Sequence, residues 1–428
     1  MGIRAAAIVA VVMVTGCKYG AEEFACSPEK SCGPGGACES NGFCSFEDNS
    51  CESHRRFGEL GGANSGACVP IGGAQMIDAS IDAPPDVPPD ARACFGTGIV
   101  QVCLAQAPAM PFNNGDLTTI DTGDTSATSK CAATVSGGEN YCVIAGTSIS
   151  ITGALRATGS KPLVLLSTST ITVSQLIDVG SHRGAPEFVG AGADPTAACA
   201  MGGAAGGSAP GLRSGGAGGS FNGKGGHGGD GAGAGAGNGG QAINAVTPTV
   251  LRGGCAGQSG DGGAKGAGGH GGGAVYLLAV DRIDISGPGI NAAGEGGAPG
   301  TSGASGAGGG GAGGMIGFDA PTITCTGFLI ANGGGGGEGS GITVAGMVGA
   351  DPSQTSTNAA LGGNGFAGIG GDGGNGSSGA AAGAGANGKD GTSMGGADGA
   401  GGAGGGGAGF IKGPAASLGN NVSPDATP

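Results

Sequence analysis

The chain has 428 residues, of which 109 are glycine, and only 11% of its residues are charged. The formal net charge is −14, and the sequence has no cluster of basic residues that could neutralise phosphates. The composition therefore argues against nucleic-acid binding. Because Trp is absent and aromatic residues make up 4%, apolar volume is scarce, and a repetitive body of stacked short strands is favoured.

The first 16 residues have the layout of an export signal. Arg4 supplies a positive charge, and residues 5–14 form an apolar run that is too short to span a bilayer. We therefore expect 1–16 to be a signal peptide, with the rest of the chain outside the cytoplasm.

The signal ends in Val14-Thr15-Gly16-Cys17, which resembles the lipobox of bacterial lipoproteins. The resemblance implies cleavage before Cys17, a lipid on its sulfur that anchors the chain to a membrane, and a lipidated tether over 17–25. Lys18 stands where the family pattern places an inner-membrane retention Asp, which implies the outer membrane or the cell surface. An ordinary secretory signal followed by a coincidental cysteine is the alternative.

A cysteine-rich module follows over 26–69. Its gaps hold Gly, Pro, Ser and Asn, so it cannot bury enough apolar surface to fold without cross-links. Zinc is disfavoured because the module has no C-x-x-C and its only imidazole is His54. Three disulfides are expected, with their connectivity left open. The cysteines are Cys26, Cys32, Cys38, Cys44, Cys51 and Cys68.

This module resembles short cysteine-rich modules that follow the lipobox in predicted surface lipoproteins of large-genome bacteria.

The segment 70–93 then repeats Asp every fourth residue between prolines. Proline fixes φ and like charges repel, so an extended linker is favoured over a calcium loop, which would have to curl.

The body, 94–428, contains four β-prone runs that align with one another. They alternate apolar and polar residues with period two, and another apolar run begins eight residues before each. An extra residue at Pro288-Gly289 is expected to form a bulge, and 410–420 is a weak fifth copy. The four runs begin at Ile149, Ile171, Ile283 and Ile323.

The spacing of the first two runs is about one turn of a parallel β-helix, which the body therefore resembles. Stacked copies would bury a ladder of apolar side chains in an all-β fold. An antiparallel β-sandwich is the alternative, but the runs are equivalent copies without hairpin signals.

Long glycine-rich insertions separate the copies, near 190–273, 295–314 and 334–409. Two interpretations are open. Flexible loops are favoured because ordering glycine has a large entropic cost. The other is a bundle of polyproline-II-like helices hydrogen-bonded to one another, as in some glycine-rich adhesins.

Beyond the module, we expect four cysteines to pair among themselves and Cys199 to pair with Cys255. Cys325 is expected to be free, because alternation turns it into the core. The four are Cys94, Cys103, Cys131 and Cys142.

No catalytic or metal-ligating set is expected, and no cofactor. Gly218–Lys224 fits a phosphate-binding loop, but Gly225 replaces the required Ser or Thr, so no nucleotide is expected. The outward charges are Arg156, Asp178 and Asp284, with the first two expected to form a weak surface ion pair. His227 and His270 are expected to be solvated.

The sequence thus favours a non-enzymatic cell-surface lipoprotein with a structural or adhesive role. Extracellular matrix or polysaccharide is the expected contact. The alternative is a carbohydrate-binding or carbohydrate-active β-helix, which would need carboxylates and aromatic side chains to converge on one groove.

Overall fold

The computed structural model describes only part of the chain: Cys26 and residues 32–39, 42–60, 64–69, 93–115, 118–126, 129–138, 140–184, 187–199, 213–365 and 368–428. The predicted signal peptide, the tether with Cys17 and the linker up to residue 92 lie outside the described residues. The chain divides into two compact units, Met1–Asp86 and Val87–Pro428. In the described ranges, no helix is long and apolar enough to cross a membrane.

The first unit contains a small antiparallel sheet stapled by disulfides. Its strands, in the order β1-β2-β3, are Ala37–Cys38, Cys44–Glu47 and Arg55–Phe57. Cys26 pairs with Cys38, Cys32 with Cys44 and Cys51 with Cys68. A cysteine-rich module with several disulfides is therefore present.

The second unit is nearly all β. Its strands before the first long insertion are β4 (Ala93–Phe95), β5 (Val102–Leu104), β6 (Phe112–Asn113), β7 (Thr119–Asp121), β8 (Thr134–Ser136), β9 (Cys142–Gly146), β10 (Ile149–Ile151), β11 (Leu155–Thr158), β12 (Leu163–Ser167), β13 (Thr170–Val173) and β14 (Ile177–Asp178). A short helix, α1, spans Thr196–Cys199. The later strands are β15 (Ala274–Ala279), β16 (Arg282–Ile285), β17 (Gly289–Asn291), β18 (Met315–Asp319), β19 (Thr322–Cys325), β20 (Phe328–Ile330), β21 (Ser393–Met394), β22 (Ala397–Asp398), β23 (Phe410–Lys412) and β24 (Val422–Ser423), with a 3₁₀ turn at Ala415–Ser417.

Most of these strands form three parallel sheets, which the chain visits in rotation. Sheet I has the order β6-β10-β13-β16-β19, sheet II the order β7-β11-β14-β17-β20-β24 and sheet III the order β9-β12-β15-β18-β23. The strands β4, β5 and β8 form a separate antiparallel sheet. Each parallel strand thus pairs with its counterpart one repeat later.

The predicted alignment of the four runs is the register that the structure shows. In sheet I, Ile149 pairs with Ile171, Ile171 with Ile283, and Ile283 with Ile323. These side chains lie in one continuous apolar core, and the first three are fully buried. Sheet III is apolar on both faces, which explains its unbroken runs such as Leu163–Ser167.

Two details differ from the sequence prediction. The extra residue of the third copy does not make a bulge: Gly289 pairs in register with Phe328, so the extra residue lengthens the turn after β16. The weak fifth copy, 410–420, was expected to stack on the run led by Ile323 in sheet I. Instead, Phe410 pairs with Met315 in sheet III.

The described parts of the glycine-rich insertions form a hydrogen-bonded layer, which we call the glycine layer. Segment 399–409 is buried throughout, and every third amide of it points to the same neighbour. Its amides donate to carbonyl groups of 213–219, 331–340 and 383–389. Its carbonyl groups accept from amides of 223–229, 307–313 and 371–377. Three residues per turn without internal hydrogen bonds is the pattern of polyproline II.

Close packing explains why the layer is built from glycine. A Cβ on Gly404 would overlap the carbonyl oxygen of Gly226, and a Cβ on Gly405 would overlap that of Asn375. Segment 305–314 is packed in the same way, between 255–261, 292–298 and 399–409 among others. In these segments the flexible-loop interpretation is wrong, and the bundle interpretation describes the hydrogen bonding.

Candidate functional site

A polar cluster gathers where β14 meets the insertion that follows β20. Asp178, at the end of β14, is 2% exposed, although the sequence analysis placed it in a surface ion pair. Asn291 occupies the matching position of β17 and donates to Asp178 at 2.8 Å. Gln354 donates from the insertion at 3.1 Å. The position that alternation turns outward is therefore covered.

His182 is the closest ionisable partner of Asp178. Its Nε2 lies 3.1 Å from both carboxylate oxygens, and its Nδ1 lies 3.9 Å from Oδ2 of Asp351. The guanidinium of Arg156 is 3.3 Å from Asp178 and stacks 4.2 Å from the ring centroid of Phe188. The Arg156–Asp178 contact exists, but its carboxylate side is buried.

Burial alone would raise the pKa of Asp178, but the hydrogen bond and charge of His182, with Asn291 and Arg156, hold it below its ordinary value. Burial alone would lower the pKa of His182, but the hydrogen bond and charge of Asp178, aided by Asp351, raise it above its ordinary value. The pair therefore favours the imidazolium–carboxylate form.

This arrangement is better suited to holding β14 and the insertion after β20 together than to catalysis. Both carboxylate oxygens of Asp178 accept hydrogen bonds, and both ring nitrogens of His182 face carboxylates. A general base needs a free position within reach of a substrate proton. Asp284 is not part of the cluster, because it lies in sheet I and pairs with Arg282 at 2.8 Å.

A second group of charges lies around His270. The Nδ1 of His270 is 2.6 Å from Oδ2 of Asp194, and its Nε2 is 3.8 Å from Oε1 of Glu187. Glu295 has a side chain that is 0% exposed and lies 2.7 Å from Nη2 of Arg183. His270 was expected to be solvated, but it faces two carboxylates and its side chain is only 36% exposed.

His227 is also not simply solvated. Its Nδ1 accepts a hydrogen bond from the amide of Ala242 at 3.2 Å, and its Nε2 lies 3.3 Å from Nζ of Lys224. Burial and the charge of Lys224 lower the pKa of His227.

The cysteines of the second unit form three disulfides. Cys94 is bonded to Cys103, Cys131 to Cys142, and Cys199 to Cys255. Cys325 is buried and unpaired, and burial raises the pKa of its thiol to about 11. Cys17 lies outside the described residues.

Two of the shallow grooves on the described part of the second unit lie beside Arg156 and beside Phe221. One, of about 310 Å³, is lined by Arg156, Asp178, Thr118, Thr119 and Leu155 among others, with no aromatic side chain among the described lining residues. The other, of about 660 Å³, includes Phe221, Ile243, Val246, Val250 and Arg252. Neither of these two grooves brings a carboxylate and an aromatic side chain together. A third groove, of about 440 Å³, has Phe95 and Asp319 in its lining but none of the predicted charges Arg156, Asp178 and Asp284.

Sequence reasoning missed His182, Asn291, Gln354 and Glu295. The sequence offered only weak signals for these residues. His182 comes four residues after Asp178, which is not a spacing that brings two side chains together on a β-strand, and Glu295 is a single acid among Gly and Ala. The one general signal was that a charged residue in a buried segment of small residues needs a partner.

No protein-family model, curated protein or solved structure matches the chain. The fold and the site define the class: a nearly all-β protein of parallel sheets, with a disulfide-rich first unit and a hydrogen-bonded glycine layer.

Proposed function

We propose that the chain is a non-enzymatic lipoprotein of the cell envelope with a structural or adhesive role. The observation that carries the proposal is the glycine layer, whose buried segments bond to one another through their backbones. Such a layer presents extended surface together with the groove beside Phe221, and the polar cluster at Asp178 has its polar atoms occupied.

The proposed body is a parallel β-helix. Its support is the rotation of the chain through three parallel sheets, with the same rows of Ile in register from repeat to repeat. A solenoid of this kind stacks apolar rungs with few large side chains, as the composition requires.

The proposed anchor is the lipid on Cys17, and the proposed location is the outer membrane or cell surface. The lipobox-like sequence and the short apolar run before it support this step. Replacing Cys17 with Ala should release the chain from membranes, since 5–14 is too short to hold it. A Cys17→Ala chain that is cleaved but still sediments with membranes would contradict the anchor.

The proposed contact surface is 342–348, which contains a bend at 342–344 and the start of the next glycine segment. Ile342, Val344, Met347 and Val348 are 46–53% exposed there. Apolar side chains grouped on one surface are typical of interaction sites. The proposed partner is extracellular matrix or polysaccharide.

Attachment assays test this role. Cells displaying the chain are compared with cells displaying an Ile342→Ser, Val344→Ser, Met347→Ser variant for retention on matrix-coated and polysaccharide-coated surfaces. The control variant is Met110→Ser, because Met110 is 75% exposed in a different part of the unit. We expect the triple variant to lose retention and the control to keep it. Equal retention of all three would contradict the proposal.

A carbohydrate-active protein is the second candidate, favoured by the groove where Arg156 and Asp178 meet. Polysaccharide cleavage by the purified chain that disappears in Asp178→Asn, with folding retained, would support this candidate and overturn the first.

A further inference from the structure

We propose that Glu187, His270 and Glu295 form a binding site for a divalent transition-metal ion, with zinc as the best-suited ion. One ligand atom from each of the three lies within 4.8 Å of the other two. The residues come from three separate segments, so no sequence spacing could reveal the set. The inference is independent of the adhesive role.

The imidazole of His270 is oriented as a metal ligand. Asp194 lies 2.6 Å from its Nδ1 and can accept the Nδ1–H, so a neutral His270 would direct its Nε2 lone pair to the side of Glu187. Asp194 is itself fixed, since its other oxygen accepts the amide of Gly271 at 2.9 Å and its φ is 52°. A carboxylate behind a histidine is the usual second layer of a zinc site.

Glu295 supplies the buried ligand. Its side chain is 0% exposed, and its Oε1 forms an ion pair with Nη2 of Arg183 at 2.7 Å but accepts no hydrogen bond in the described structure. The other oxygen accepts the amide of His270 at 3.2 Å. A buried carboxylate oxygen without a hydrogen bond is rare and calls for a further partner. A metal ion beside Arg183 would supply that partner.

The local charge also favours a cation. Glu187, Asp194 and Glu295 bring three carboxylates, of which Glu295 is paired with the guanidinium of Arg183 and the other two face His270. The excess of negative charge is what a divalent ion would neutralise. The ligand atoms must be deprotonated to bind the ion, so zinc binding is expected to weaken at low pH.

The donor set determines the class of ion. One imidazole nitrogen with two carboxylate oxygens suits zinc, whereas calcium prefers six or more oxygens. Glu187 is 51% exposed, so it can move the short distance needed to close on the ion, and water can fill a fourth position. The bound ion would tie the 187 loop to the two glycine segments that carry His270 and Glu295.

Zinc titration of the purified full chain tests the site, by calorimetry and by metal analysis after dialysis. We expect about one zinc ion per chain. Glu187→Gln and His270→Gln should each weaken binding by at least about tenfold, and Asp194→Asn by about 10- to 100-fold. Glu187→Gln is the decisive variant, because a half-exposed side chain can be changed without disturbing the fold.

Two controls match the ligands. His227→Gln removes a histidine of the same glycine layer, and Glu47→Gln removes an exposed acid of the first unit. Both should bind zinc as the unchanged chain does, and circular dichroism should show that every variant is folded. The proposal is overturned if the chain binds no zinc, or if folded Glu187→Gln binds zinc as tightly as the controls.

Discussion

At the scale of single residues, neighbouring positions of one strand meet opposite environments. Ile171 is fully buried between Ile149 and Ile283, whereas Thr172 is exposed on the same strand. Period-two alternation explains the difference, since successive side chains of a strand point to opposite faces.

This contrast gives the first prediction. Ile171→Asp should lower the free energy of unfolding by several kcal/mol, on the order of 4, because an unpaired charge would enter the apolar core. Thr172→Asn should change it by less than about 0.5 kcal/mol. Asn is chosen because Asp would face Asp284. Urea unfolding with disulfides intact measures both, and equal losses would contradict the inside–outside assignment.

The second prediction concerns pH. Because folding raises the pKa of His182 above 6.5, its pairing with Asp178 stabilises the fold fully below that pH and is lost as pH rises through the raised pKa. We therefore expect the stability advantage of the unchanged chain over His182→Gln to be largest below pH 6.5 and to shrink as the pH rises through the raised pKa of His182. Asp178 acts at the acid end, where its contribution is lost as pH falls through its lowered pKa.

His227→Gln is the matched control for that experiment. The folded state lowers the pKa of His227, so its effect on stability has the opposite pH dependence. Urea midpoints at several pH values give the comparison. A difference between the unchanged chain and His182→Gln that stays constant with pH would show that the pair does not titrate as described.

At the scale of elements, the glycine layer depends on backbones that touch. Most of its glycines leave no space for a Cβ, because a carbonyl oxygen of the next segment occupies it. Gly263 is different, since no atom lies within 4 Å of the place where its Cβ would be. Glycine therefore has two different structural roles, one in the close-packed segment 399–409 and one in the exposed turn at Gly263.

The third prediction uses this difference. Gly404→Ala should lower the free energy of unfolding by roughly 3 kcal/mol or more, because the segment must move away from Gly226. Gly263→Ala should be neutral or stabilising by up to about 1 kcal/mol, through the lower entropy of the unfolded chain. Thermal unfolding of the two variants provides the measurement. Similar effects from both would mean that the layer is not close-packed.

At the scale of the whole molecule, the sequence predicted the strands better than the site. The rows led by Ile149 and Ile171 could be aligned because stacked strands repeat the same inward side chains. The glycine segments carry too few side chains to show which segment they bond to, so two interpretations stayed open. Alternation correctly predicted the face of the strand on which Asp178 lies, but it could not show that this face is covered. The cover includes Gln354, which is far along the chain and donates a hydrogen bond to Asp178.

Order in the glycine layer is the central claim, since the proposed surface and the metal site both depend on it. Native-state hydrogen exchange followed by mass spectrometry tests it most directly, by comparing segment 399–409 with strand β12, Leu163–Ser167. The amides of 399–409 are bonded to three neighbours and buried, so they should exchange as slowly as those of β12. Exchange of 399–409 at the rate of an unstructured peptide, while β12 stays protected, would contradict the account.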